Sequence, residues 1–146
     1  MRILSGMIVL VVRLSMAGIS GQAPARITEA DYDALMKKVG PTNGAMRMKL
    51  MEGQLKEAAT DAQALASLFG DVERFWAQHK KEDAVKWSAE ARSNASEVAG
   101  AAAAGDGMKA QAAANNILAS CKQCHGTYRE GDAQSGFRIK AGTLAE

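Results

Sequence analysis

The sequence predicts an all-α protein, an antiparallel four-helix bundle, and three observations carry that expectation. Its 146 residues are enough for one domain with one sizeable core. Aromatic residues are scarce, at 5 %, while alanine and methionine are plentiful. That composition suits helices packed through small side chains and disfavours a β-sandwich. Four stretches repeat apolar residues at helical spacing, joined by short connections.

The first stretch is not part of that fold. Met1 and Arg2 form a charged start, Ile3 to Leu14 is mostly apolar although Arg13 interrupts it, and small residues lead to Ala23-Pro24-Ala25. This order is that of a secretory signal with an A-x-A cleavage site. The apolar run is too short to span a bilayer. Residues 1–25 therefore read as a signal peptide, 26–130 as the helical domain and 131–146 as a polar C-terminal tail. The mature chain is expected outside the cytoplasm, in the periplasm, with no membrane contact unless the signal stays uncleaved as an anchor. The whole chain carries 18 basic and 16 acidic side chains; removing Arg2 and Arg13 leaves 16 of each. A chain with no basic field has nothing to attract nucleic acid or an anionic membrane surface.

The first helix is expected from Thr28, an N-cap with Asp31 in capping-box position and an Ile27/Tyr32 staple. Tyr32, Leu35, Met36 and Val39 then share a face, and Gly40-Pro41-Thr42-Asn43-Gly44 is expected to kink or interrupt the helix. Apolar residues resume at Met46, Leu50 and Met51. The second helix is expected from Gln54 to Phe69, on the spacing of Leu55, Ala58, Ala62, Leu65 and Phe69, with Gly70 as its stop. Residues 71–81 read as a connection, in which His79 is a solvated surface residue. The third helix begins near Asp83 and carries Ala84, Trp87, Ala91, Ala95 and Val98 as its stripe. Ala101 to Gly107 reads as a small-residue connection, in which Gly105-Asp106-Gly107 breaks the helix and Asp106 caps the next.

In the fourth helix Ala110, Ala114, Ile117, Cys121, Cys124 and Tyr128 recur at intervals of three and four, an unbroken apolar seam. Both cysteines of the chain lie on it, within Cys121-Lys122-Gln123-Cys124-His125. C-x-x-C-H is the pattern of covalent c-type haem attachment. The thiols add to the two vinyl groups of haem, and the adjacent imidazole is placed to ligate the iron. A structural zinc site would want a second ligand pair, and only His79 and methionines are on offer. A thioredoxin-like site wants a neighbouring strand, and nothing reads as one. A disulfide between residues three apart is geometrically awkward. Export agrees with haem attachment, which in bacteria takes place outside the cytoplasm. The expectation is one covalent haem c held on the core face of the last helix, in a four-helix bundle or a looser α domain.

Cys121 to Arg129, CKQCHGTYR, meets in full the pattern C-x-x-C-H-x-x-Y-[RK], and the chain here resembles the class II cytochromes c, the cytochrome c-prime family. Ala30 to Gly40, ADYDALMKKVG, is similar to the first helix of the methionine-ligated branch, and Trp87-Ser88 and Gly105-Asp106 are further points of likeness. The likeness covers roughly residues 28–129. It implies that Met36 is the distal iron ligand and that Arg129 lies over the proximal imidazole. The alternative for Arg129 is a solvated cation favoured by a helix C-terminus. The likeness also leaves a homodimer through the first two helices open.

Helix geometry singles out the same methionine. Met36 lies ~10 Å along the first helix and His125 ~6 Å from the end of the antiparallel last one, at 1.5 Å per residue. Met46, Met48 and Met51 would sit ~15–22 Å further away. Leu35, Val39 and Tyr32 then read as the apolar wall of the haem pocket, and Tyr128 as a core residue beside it. Met36 could equally be a plain packing residue. With His125 and Met36 as ligands the protein would carry single electrons between redox partner proteins. Without Met36 the distal face would be vacant and the protein would bind nitric oxide or carbon monoxide. Peroxidase-like catalysis would need a distal acid–base pair, and the first helix offers none near Met36.

Overall fold

The computed structural model describes residues 25–144. The predicted signal peptide, apart from Ala25, lies outside the described residues. Among these residues no helix is long and apolar enough to cross a membrane. Four helices, α1 (Glu29–Met51), α2 (Leu55–Gln78), α3 (Glu82–Ala103) and α4 (Gly107–Tyr128), are followed by a hairpin of β1 (Arg129–Asp132) and β2 (Gly136–Ile139).

Short connections force each helix to run back along the previous one, and polar contacts fix the pairing. Lys49 at the end of α1 meets Asp61 near the start of α2 at 2.7 Å. Ile27, just before α1, donates its N–H to the Gln78 side chain at the end of α2. Tyr128 at the end of α4 donates to Asp83 at the start of α3 at 2.6 Å. Arg47 of α1 donates to the Ala114 carbonyl, at 3.0 Å, and to the Asn115 side chain of α4. The result is an all-α, bundle-like arrangement in which neighbours in sequence are neighbours in space.

The core is built large against small. α2 supplies Leu65, Phe69, Val72, Phe75 and Trp76, all buried, while α3 and α4 answer mainly with Ala84, Ala91, Ala95, Ala110, Ala113 and Ala114. Alanine faces let the helices close on the α2 ridge, and each fully buried large side chain contributes roughly 1.5–3 kcal/mol. At one end Tyr32 stacks on Phe75 with ring centroids 4.3 Å apart, and Trp76 meets Tyr32, Phe75 and Tyr128. This cluster ties α1, α2 and α4 together at the end that carries the cysteines.

The start of α1 is as the sequence predicts. Thr28 accepts from the Asp31 N–H, and Asp31 accepts from the Thr28 N–H and hydroxyl. Four other expectations need correction. Gly40 to Gly44 does not interrupt α1, which runs through Pro41. Pro41 removes one backbone bond on the exposed side, while buried Val39, Met46 and Leu50 hold both halves to the core. Gly70 does not stop α2, because Val72, Phe75 and Trp76 continue its buried seam for two further turns. His79, at the C-cap of α2, is half-buried against the Phe75 ring at 4.8 Å and is not a solvated residue. The segment read as a polar tail is an ordered hairpin that begins at Arg129, and its Ile139 packs on the core.

Candidate cofactor site

α1 and α4 close on one another at one end only. Arg47 joins them near the start of α4; towards the start of α1 and the end of α4 they part around a cavity of about 780 Å³. Such a volume lies within the range of pockets that hold cofactors and drug-sized ligands. Protein interiors otherwise hold few voids larger than a water molecule. Tyr32, Met36 and Val39 of α1 form one wall, and Cys121, Cys124 and His125 of α4 face them. The same six residues border a small inner chamber of about 40 Å³, closed on the core side by Phe69, Val72, Trp87 and Ala91.

The α4 seam explains this placement. Ala110, Ala114 and Ile117 are fully buried, and the next three members, Cys121, Cys124 and Tyr128, are half-buried because the helix there turns its apolar face to the cavity. The two cysteines are free thiols. Burial pushes Cys121 up from its ordinary range, and burial followed by the neighbouring Cys121 and Asp83 pushes Cys124 up to about 12. A redox-active C-x-x-C pair works through a depressed thiol pKa, so this environment is the opposite of a thioredoxin-like one. Burial, and then the Arg129 guanidinium, hold His125 below its ordinary value. Its imidazole is thus neutral at neutral pH, the state in which it can ligate a metal.

Met36 is half-buried and borders both spaces. Leu35, expected in the same wall, borders neither and instead packs against the core. Tyr128 and Arg129 border the cavity as well. Burial, and then the hydrogen bond to Asp83, raise the Tyr128 phenol to about 12, so it stays a donor to Asp83. The exposed Arg129 guanidinium sits 4.2 Å from the centre of the Phe137 ring. The side-chain oxygen of Asn43, in the α1 wall, is buried without a hydrogen-bond partner among the described residues. A buried amide oxygen ordinarily has one, so protein groups alone leave this wall unfinished.

No family model, curated protein or solved structure matches this chain. The likeness to class II cytochromes c therefore rests on the sequence motifs alone. Two thiols and an imidazole on one wall, a thioether on the other, an apolar inner face and a cofactor-sized space fit the donor set and room that a covalently held haem requires. Cys121 and Cys124 are the groups that could bond to it, and His125 and Met36 those that could ligate its iron.

The sequence pointed to the α4 residues and Met36 because each belongs to a local motif. Nothing in it marks Phe69, the last residue of the expected second helix, as a site residue, or Val72, which reaches the site only because α2 continues past Gly70, or Phe137 and Ile139, which the hairpin folds back. The one available signal was the spacing of Leu65, Phe69, Val72 and Trp76, which keeps helical period across the glycine.

Proposed function

We propose that the protein is an exported monohaem c-type cytochrome that carries single electrons between redox partners outside the cytoplasm. The observation that carries this reading is the gap between α1 and α4, which lies where Cys121, Cys124, His125 and Met36 come together. When bound, haem supplies a one-electron iron couple. Cys121 and Cys124 would hold it by adding their thiols across its two vinyl groups, and His125 and Met36 would ligate its iron.

The chain's own residues account for the remaining requirements. Phe69, Val72 and Trp87 make the inner face mainly apolar. Packing of α4 on the alanines of α3, together with the Tyr128–Asp83 bond, fixes the helix that bears three of the four donors. A thioether ligand from Met36 would raise the reduction potential.

Optical spectra of the ferrous protein with and without carbon monoxide test the reading. The expected result is a low-spin spectrum that carbon monoxide leaves unchanged, and a Met36→Ala variant that becomes high-spin and binds the gas. A natural protein that binds carbon monoxide readily would favour gas binding at a vacant distal site. An unchanged spin state in Met36→Ala would remove Met36 as the ligand.

A further inference from the structure

The cavity has a wall that the electron-transfer reading does not use. Gly136, Phe137, Arg138 and Ile139 of β2 border it on the outer side, between the parted ends of α1 and α4. Phe137 and Ile139 are two apart in a strand and so share a face. Across the ladder Phe137 pairs with Gly131, which has no side chain, and Ile139 pairs with Arg129. The Phe137 ring therefore has no apolar cross-strand partner. It is 51 % exposed, and it meets the Arg129 guanidinium. A large, half-exposed apolar side chain that borders the cavity, without an apolar partner across its own hairpin, is placed to cover something that enters the cavity.

The hairpin is a fixed wall. Lys140, directly after β2, donates its backbone N–H to the Tyr128 carbonyl at 2.9 Å and its ammonium to the Gly126 and Thr127 carbonyls at 3.1 and 2.7 Å, occupying the free carbonyls at the end of α4. Arg138 and Glu130 pair at 2.9 Å across the strands. Asp132 accepts from the N–H groups of Gln134 and Ser135 to close the turn. Gly131 has φ +90, and a Cβ there would run into the Gly136 carbonyl oxygen, so the strands approach as closely as they do only because position 131 is glycine.

Resting on the cytochrome reading, we infer that the β1–β2 hairpin is a built part of the haem site, in which Phe137 and Ile139 cover the porphyrin edge left open between α1 and α4 and shield it from water. Shielding from solvent disfavours the more highly charged ferric state, so the wall raises the reduction potential.

Two measurements on the haem-bearing protein test this. In the ferrous natural protein, nuclear Overhauser cross-peaks are expected between Phe137 ring protons and porphyrin protons. In spectroscopic redox titrations, Phe137→Ala is expected to shift the midpoint potential down, and Phe137→Leu to shift it by less, with covalent haem retained in both. Absence of the cross-peaks, or a Phe137→Ala potential equal to that of the natural protein, overturns the inference and leaves the cytochrome reading intact. A natural protein matured without covalent haem overturns both.

Discussion

The first turn of α1 is closed by two side chains, and one of them titrates. Hydrogen bonds from the Thr28 hydroxyl and then its N–H hold the Asp31 carboxyl below its ordinary value of 3.8. Because the folded-state pKa is the lower one, the stabilisation is complete above about pH 3.8 and is lost as pH falls through the folded value. Urea unfolding at a series of pH values is expected to show the natural protein losing stability on acidification more steeply than Asp31→Asn, whose side chain does not titrate. Parallel profiles would show that the carboxylate makes no pH-dependent contribution. Residue-level features of this kind are those the sequence exposes best. The capping box and the C-x-x-C-H run depend on neighbours within five positions, so both are legible without a fold. Asn43 and Phe137 acquire their roles only from segments far away in the chain, and no local pattern marks them.

At the scale of elements, glycine and proline mislead where tertiary packing outweighs local preference. Gly70 and Pro41 each suggest a break, and each lies inside an unbroken helix because buried residues continue on both sides of it. Pro41 is exposed and keeps its helix at a cost. Pro41→Ala should raise the stability of the natural fold by about 2 kcal/mol, the proline penalty of ~3 kcal/mol less the unfolded-chain entropy that proline removes. Urea titration measures it; an unchanged or lowered midpoint would mean that α1 is not continuous through residue 41. The hairpin was illegible for a different reason. Arg129 to Asp132 carries no apolar alternation, and its strands are set by turn chemistry at Asp132, Ser135 and the glycines, and by the anchoring of Lys140.

At the scale of the whole molecule, the fold divides into a closed and an open half. α2 and α3 pack closely, whereas α1 and α4 touch far less and line the cavity from either side. A cofactor filling that space would supply the packing that the two helices lack between them. If the proposed covalent haem fills it, hydrogen exchange should differ by region between the natural protein and a Cys121→Ser/Cys124→Ser chain. Amides at the start of α1 and the end of α4 should exchange on the order of tenfold faster in the serine chain, equivalent to ~1.4 kcal/mol of local stability, with α2 and α3 little changed. Uniform loss of protection would contradict this division.

The most direct test of the account is the intact mass of the exported, matured protein, recorded after denaturation and acid–acetone extraction. The expected result is a red polypeptide heavier than its peptide chain by one haem, with neither Cys121 nor Cys124 open to alkylation. A colourless chain at its bare peptide mass, with both thiols alkylated or joined as a disulfide, would contradict it.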